Sequence, residues 1–141
     1  YLDNKEKTLK TFNNGWINTG DIWSITNNYW YYQGREDDLI KVASKWVNPK
    51  ELETEASKIN NVIDSFCITA ESKEGTHRLA LFLYIKTSKD QNLIIRQVKD
   101  KISYLPKYKQ PYWIQTITDV PQTATGKIRR NDLKNLIERN I

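Results

Sequence analysis

Leu79–Ile85, with the sequence LALFLYI, is an uninterrupted apolar stretch near the middle of the chain. Leucine or isoleucine occupies every second position, and the positions between them, Ala80, Phe82 and Tyr84, also carry apolar or aromatic side chains. Successive side chains of a strand point to opposite faces, so this stretch predicts a strand that is apolar on both faces. Such a strand is typical of the centre of a sheet rather than its edge.

Further elements are predicted on either side of this strand. Residues 66–70 alternate as a second strand, and residues 112–118 predict a third. Apolar residues at helical spacing predict helices over residues 92–103 and from about Asn131. Another helix is expected from Pro49 with Asn48 as its N-cap, and a short strand over residues 37–42. The predicted fold is α+β: a small three-stranded sheet with one layer of helices packed on it, plus a short β-hairpin.

The amino-terminal segment, residues 1–33, differs from the rest because it is rich in Asn, aromatic residues and turn formers. Thr19-Gly20-Asp21 predicts a turn. Asn27-Asn28 predicts the tip of a hairpin between two aromatic strands.

The composition excludes several classes of protein. The 141 residues include one Cys, one His and no Met. A disulfide within the chain is impossible, a zinc site of His and Cys has too few ligands, and no metal site is predicted. A cytoplasmic setting with no membrane span and no signal peptide is expected, since apolar runs are short. The absence of Met predicts that Tyr1 is internal to a longer polypeptide or results from processing.

The net charge of +5 suits a polyanionic partner such as nucleic acid, nucleotide or coenzyme A. Basic and acidic residues are interspersed along the chain, however, and an ordinary solvated surface explains this pattern equally well.

The segment Val120–Lys127 contains few core-forming residues and carries a Gly126-Lys127 pair. A phosphate-binding P-loop is excluded because Pro121 stands where the first glycine is required and Ile128 where Ser or Thr is required. A lysine on a flexible, hydroxyl-rich loop can neutralise charge that develops on a phosphoryl or carboxyl oxygen. Taken alone, an ordinary exposed lysine remains the commoner interpretation.

Two other polar clusters have functional interpretations that are weak when each is taken alone. Arg35, within Gly34–Lys41, is suited to paired hydrogen bonds with hydroxyl or phosphate oxygens. Asp21, on the predicted turn, can accept hydrogen bonds from ribose hydroxyls. A charged turn before a strand explains the first cluster without any function, and Asp is a common turn residue that needs none.

Together, the order and wording of the three clusters resemble the adenylate-forming superfamily of acyl-CoA synthetases, adenylation domains of peptide synthetases and luciferases. Residues 15–21 (GWINTGD) resemble its ribose-binding signature, residues 32–41 its hinge signature, and residues 121–130 (PQTATGKIRR) its carboxy-terminal lysine signature. Residues 108–111 (YKQP) match the short segment before its last strand. The wording is most similar to benzoate-type and medium-chain acyl-CoA ligases.

The resemblance implies a domain division and roles for four residues. Residues 1–33 would be the trailing edge of a large amino-terminal domain, and residues 34–141 the mobile carboxy-terminal lid. Asp21 and Arg35 would bind the nucleotide, Asp37 would be the hinge, and Lys127 would be the catalytic lysine of adenylation.

The resemblance also implies a second working face. Lys41, Ser44 and Trp46 would face the tunnel through which the thiol of coenzyme A enters. Ser44 departs from the family pattern, which has glycine at this position. ATP, Mg²⁺ and coenzyme A would be required, with a small carboxylic acid as substrate and the missing amino-terminal domain as partner.

Two alternatives to an acyl-CoA ligase remain open from the sequence. An adenylation domain that loads a carrier protein would share the three signatures and differ in its acceptor. A basic nucleic-acid-binding module is disfavoured, because the aromatic residues cluster in residues 23–32 and do not alternate with basic residues along a sheet face. We expect these aromatic residues to lie where two domains meet. We also expect that the protein has no nucleic-acid partner and that the chain by itself is inactive.

Overall fold

The computed structural model describes residues 2–72, 74–86 and 90–138, and the backbone divides into two units, one up to Leu39 and one from Ile40. The first unit contains α1 (Lys5–Thr11), β1 (Phe12–Asn13), β2 (Trp16–Ile17), β3 (Asp21–Thr26), β4 (Tyr29–Arg35) and a 3₁₀ turn (Glu36–Asp38). The second contains β5 (Ile40–Val42), β6 (Lys45–Val47), α2 (Pro49–Ala56), β7 (Val62–Glu71), β8 (His77–Ile85), α3 (Gln91–Lys101), a 3₁₀ turn (Lys107–Lys109), β9 (Trp113–Ile117) and α4 (Arg130–Glu138).

The LALFLYI stretch forms most of β8, which is the middle strand of a three-stranded sheet in the order β7-β8-β9. β7 pairs with β8 antiparallel, and β9 pairs with β8 parallel. The predicted central strand and its two neighbours are therefore confirmed. A polar turn joins the antiparallel pair, whereas the parallel pair needs the α3 crossover.

Two apolar clusters cover the two faces of this sheet. One face of β8 presents Leu79, Leu81 and Leu83 to a cluster that includes residues of α2 and α3. The other face presents Ala80 and Phe82 to a cluster that includes residues of α4. The prediction of a single helical layer was wrong: because β8 is apolar on both faces from Leu79 onward, helices pack on both sides of the sheet.

β5 and β6 form a hairpin on the α2–α3 face, where Val42 and Val47 are buried in the first cluster. The prediction of a strand over residues 37–42 was wrong at its start. Glu36–Asp38 form a 3₁₀ turn, in which the Leu39 N–H donates to the Glu36 carbonyl at 3.2 Å. Acidic residues have low strand propensity, so the strand begins only at Ile40.

Helix α2 begins as the sequence predicts. Pro49 occupies its first turn, and the Asn48 side chain accepts a hydrogen bond from the Lys50 N–H at 2.9 Å. Leu52 and Ala56 form the apolar side of the helix and are buried in the core. The helix thus continues directly from the hairpin and anchors it to the sheet.

The first unit contains the predicted aromatic hairpin, β3–β4, with Asn27 and Asn28 at its tip. Both have positive φ, as a type I′ turn requires. One face of the hairpin carries two directly opposed pairs of large side chains, each about half exposed or more: Trp23 with Tyr32 and Ile25 with Trp30. The sequence did not predict α1, because this helix of seven residues buries none of them.

Cys67 on β7 is fully buried, and its N–H donates to the Glu53 carboxylate at 2.9 Å. Burial, reinforced by the nearby Glu53 charge, raises the pKa of the Cys67 thiol far above its usual range. The thiol therefore stays neutral and inaccessible in the folded unit.

We expect Cys67 in the folded chain to react with Ellman's reagent at pH 8 on the order of 10³-fold more slowly than in urea-unfolded chain. Reaction has to wait for an opening that exposes β7. The measurement is absorbance of released thiolate, with unfolded protein as control. Rapid stoichiometric labelling under native conditions would contradict the burial of this thiol.

Candidate functional site

Asp21 and Arg35, the two predicted nucleotide-binding residues, lie directly opposite each other at the open end of the β3–β4 hairpin. Arg35 Nε lies 3.8 Å from Asp21 Oδ1, and Arg35 Nη2 donates to the Thr19 carbonyl at 3.2 Å. The Asp21 N–H donates to Thr19 Oγ1 at 3.2 Å. Strand pairing therefore brings together two residues that are 14 positions apart in the sequence.

Gly20 shapes the turn that carries Asp21. Its φ of +74° lies in the left-handed region, which glycine adopts without steric cost. Its N–H donates to Asn18 Oδ1 at 2.9 Å, and its carbonyl accepts from the Glu36 N–H at 2.7 Å. The turn is thereby held from both sides, which fixes the direction of the Asp21 side chain.

The Asp21–Arg35 pair is accessible to a ligand. The two side chains are 32% and 52% exposed, so their mutual attraction is largely screened and contributes at most about 1 kcal/mol to stability. A cleft of about 610 Å³ beside the pair is lined by polar residues of α1 and the turn, including Lys10, Thr19 and Asp37. The carboxylate and the guanidinium are thus free to exchange partners with a polar ligand.

Asp37, the predicted hinge, is exposed in the 3₁₀ turn Glu36–Asp38. It lies two positions before Leu39, where the first unit ends. A short turn between two units is where a local change of backbone angle reorients one unit with little other disruption. The role of Asp37 as hinge stays a prediction.

Lys41, Ser44 and Trp46 all lie on the β5–β6 hairpin of the second unit. Lys41 and Trp46 are directly opposed, with Lys41 Nζ 5.8 Å from the centroid of the indole ring. Ala43 and Ser44 form the tip with φ of +47° and +65°. Ser44 therefore adopts a left-handed backbone conformation, in which glycine would be less strained.

Lys127 lies in the hydroxyl-rich segment between β9 and α4, which hydrogen bonds close into a turn. The Thr123 N–H donates to the Lys127 carbonyl at 2.8 Å, and the Gly126 N–H donates to the Thr123 carbonyl at 2.9 Å. Gln122 and Ile128 form a β-bridge across the turn. The Lys127 side chain is exposed and has no ion-pair partner within residues 2–72, 74–86 and 90–138.

Thr123 holds the Lys127 turn in shape, and the sequence analysis did not single it out. Its Oγ1 accepts from the Lys127 N–H at 3.1 Å and lies 2.9 Å from Thr125 Oγ1. Threonine hydroxyls that bond to a backbone N–H a few residues on are a known turn device, so the Thr-rich wording before Gly126 was the available signal.

The candidate residues are divided between the two units, and those of the second unit lie over opposite faces of its sheet. Asp21, Arg35 and Asp37 belong to the first unit, and the hairpin with Lys41 to the second. The hairpin packs on the cluster that faces α2 and α3, whereas residues flanking the Lys127 turn pack on the α4 cluster. In the described parts of the chain, no three His, Cys, Asp or Glu side chains are grouped as metal ligands, and no helix is long and apolar enough to cross a membrane.

Known proteins are similar to this chain in both sequence and fold. A 3-hydroxybenzoate–CoA ligase of Aromatoleum sp. (strain CIB) is 33% identical over 141 residues, and a benzoate–CoA ligase of Thauera aromatica is 32% identical over 138. These matches cover 98% and 96% of this chain. The crystal structure of the anthranilate CoA ligase AuaEII in complex with anthranoyl-AMP superposes with a TM-score of 0.79 and 31% identity, over 100% of this chain and 28% of that one.

The chain belongs to the adenylate-forming superfamily. It corresponds to the carboxy-terminal part of these enzymes and spans about 27% of the length of the curated relatives. No protein-family model matches it. The fold and family that the three signatures predicted are thus confirmed, whereas the role of each residue in this adenylate-forming domain stays a prediction.

Gly126 has a φ of +79°, and a Cβ added there would meet no other atom. Substitution of Gly126 therefore tests whether the turn that carries Lys127 requires this left-handed backbone. We expect Gly126→Ala to lower the free energy of unfolding by about 1 kcal/mol, because the added Cβ strains the left-handed backbone. Gly126→Asn should cost less, since Asn tolerates this conformation. Chemical denaturation measures both variants. An alanine variant as stable as the wild type would contradict the required backbone.

Proposed function

We propose that the parent polypeptide is an AMP-forming acyl-CoA ligase and that this chain supplies its adenylation lysine and its hinge. The observation that carries the proposal is that the Lys127 turn and the β5–β6 hairpin lie over opposite faces of one three-stranded sheet. A reaction with two successive steps can use such a domain twice, once through each face.

In the first step, the substrate carboxylate attacks the α-phosphorus of ATP, which gives the acyl-adenylate and pyrophosphate. Both reactants are anions, so a cation between them lowers the barrier. Lys127 is suited to this role because its ammonium group is exposed on a turn that hydrogen bonds hold in shape. Asp21 would accept hydrogen bonds from the ribose hydroxyls, and Arg35 would donate to the nucleotide.

Mg²⁺ would be held by the ATP phosphates and would neutralise part of their charge, since the chain's described residues show no cluster of ligands for it. The chain's own contribution to this step is therefore the positioning of the nucleotide by the first unit and the single charge of Lys127.

In the second step, the thiol of coenzyme A attacks the acyl-adenylate carbonyl, the thioester forms and AMP leaves. Lys127 is then not needed. A turn of the second unit about Asp37 would withdraw it and bring the opposite face, with Lys41, Ser44 and Trp46, to the site. Trp46 is 62% exposed, which leaves its ring available to a ligand.

The substrate is proposed to be a small aromatic carboxylic acid, because curated relatives are 3-hydroxybenzoate–CoA and benzoate–CoA ligases. The acid pocket and the phosphate loop would belong to the large amino-terminal domain, so the chain by itself is expected to be inactive. We place the enzyme in the cytoplasm, which fits a single buried, unpaired cysteine. The proposal requires neither a nucleic acid nor a membrane.

Ser44 favours one second candidate, an adenylation domain that transfers the acyl group to a carrier protein. Its side chain stands at the hairpin tip where the family has glycine, and its φ of +65° strains a residue with a Cβ. A side chain there would alter the path by which a thiol approaches, and with it the identity of the acceptor.

Lys127→Ala in the parent polypeptide is expected to lower acid-dependent pyrophosphate release by roughly 10²- to 10³-fold, since one preorganised charge is lost. Thioester formation from supplied acyl-adenylate should stay within about 2-fold. The assay uses ATP, Mg²⁺, coenzyme A and a panel of aromatic and aliphatic acids.

Lys99→Ala, which removes an exposed lysine on α3, is the matched control and should leave both steps unchanged. Equal losses in both half-reactions of the Lys127 variant would contradict its assignment to adenylation alone. Absence of release with every acid would overturn the ligase proposal.

Ser44→Gly is expected to accelerate thioester formation and to leave adenylation unchanged, because it removes both a side chain and backbone strain at the hairpin tip. Ala43→Gly relieves the neighbouring left-handed residue, φ +47°, and retains the Ser44 side chain. Single-turnover transfer to coenzyme A measures both variants. If Ala43→Gly gave the same acceleration, strain rather than the Ser44 side chain would be the cause. A slower Ser44→Gly enzyme would show that the hydroxyl assists the acceptor.

A further inference from the structure

Lys45 and Tyr108 form a contact that the proposed function does not use. Lys45 is the first residue of β6, directly after the hairpin tip, and its Nζ lies 4.5 Å from the centroid of the Tyr108 ring. This distance is within the range of a cation–π interaction. Tyr108 is half-buried against the apolar cluster that also contains Val42 and Val47. The ring therefore joins the hairpin tip to the core below it.

The 3₁₀ turn that carries Tyr108 is itself tied to α2 and, through the next residue, to the segment that follows α3. Lys109 Nζ lies 2.6 Å from Glu51 Oε2 in the first turn of α2. The Gln110 side chain donates to the Leu105 carbonyl at 2.7 Å and to the Ser103 carbonyl at 3.2 Å, just after α3. The Lys109 side chain is only 23% exposed, so this ion pair is less screened than most surface pairs.

These contacts connect β6, α2 and the 3₁₀ turn in a closed circuit. The backbone connects β6 directly to α2. The Glu51–Lys109 ion pair links α2 to the 3₁₀ turn, and the contact of Tyr108 with Lys45 links that turn back to β6. We call Lys45, Tyr108, Lys109 and Glu51 the brace. Apart from the brace, Ile40, Val42 and Val47 anchor the hairpin to the apolar cluster, and all three lie in its two strands and not at its tip.

The hairpin tip needs support for a physical reason. Ala43 and Ser44 both have positive φ and both carry a Cβ, so the turn is strained. The strands that flank it are three residues each, and a two-stranded hairpin of this kind is marginal unless it is packed against other structure. Strain of this type persists only where surrounding contacts outweigh it.

We propose that Tyr108 and Lys109 are positioning residues that act through Lys45 to hold the hairpin tip in its strained form. The inference rests on the proposed function in one respect, namely that this hairpin serves the thioester step. Among the described residues, none of the hydrogen bonds and ion pairs of the brace involves the Lys127 turn, and the Asp21–Arg35 pair belongs to the first unit. Its loss therefore affects the second half-reaction and leaves adenylation unchanged.

The first test is hydrogen exchange, followed by mass spectrometry, of peptides that cover residues 40–48 in the parent polypeptide. Lys45→Gln and Tyr108→Leu are expected to speed exchange at the hairpin by about 2- to 5-fold, the range that corresponds to loss of one exposed cation–π contact. Tyr108→Phe keeps the ring and should behave as wild type. The Lys45→Gln/Tyr108→Leu double variant should exchange no faster than the faster single variant, because both remove the same contact.

The second test measures thioester formation from supplied acyl-adenylate in the same variants. A rise of about 2- to 5-fold in the KM for coenzyme A, with unchanged pyrophosphate release, is expected in Lys45→Gln and is expected to be absent in Tyr108→Phe. Lys99→Gln on α3 is the surface control for both experiments.

The outcomes separate this inference from the proposed function. Unchanged hairpin exchange in Lys45→Gln and Tyr108→Leu overturns the brace. Faster exchange with an unchanged thioester step overturns the positioning role. Faster exchange in a parent polypeptide that shows neither half-reaction supports the brace and overturns the ligase proposal.

Discussion

The burial of β8 on both faces is the constraint on which the second unit depends. Leu79, Leu81 and Leu83 are buried on one side of the sheet and Phe82 is buried on the other. Exposure of either face to water would therefore be unfavourable. Burial of apolar area is the dominant favourable contribution to folding, and a strand with no polar face demands a cover on each side. The helices α2 and α3 supply one cover and α4 the other. This two-sided core fixes where every later feature of the unit lies.

The functional features inherit their positions from that arrangement. The hairpin that carries Lys41 and Ser44 precedes α2 and packs with it, while the Lys127 turn precedes α4 and packs on the far side. The lysine proposed for the first step and the hairpin proposed for the second are thus separated by the thickness of a sheet. Separation of this kind prevents the two from competing for one site, and it makes rotation of a rigid unit a sufficient way to exchange them.

The candidate residues contribute little to stability where they stand, which agrees with their proposed roles as ligand-binding groups. The Asp21–Arg35 pair is half exposed, and Lys127 is held through its backbone and not through its ammonium group. Rigidity comes instead from turn hydrogen bonds and from glycine at Gly20 and Gly126, whose positive φ values let the chain turn tightly. The strained Ala43–Ser44 tip is the exception, because its conformation depends on contacts with the rest of the unit.

The sequence by itself determined the central strand, the helix that begins at Pro49, the asparagine hairpin tip and the family, because apolar period, turn chemistry and long signatures are local properties. It did not predict α1, which buries no residue and so has no apolar stripe, and it placed all helices in one layer. Which helix covers which face depends on how the connections between strands cross the sheet. The contact of Lys45 with Tyr108 joins residues 63 positions apart. Tertiary structure alone decided these, because the free energy that selects them comes from packing between segments that the local pattern does not connect.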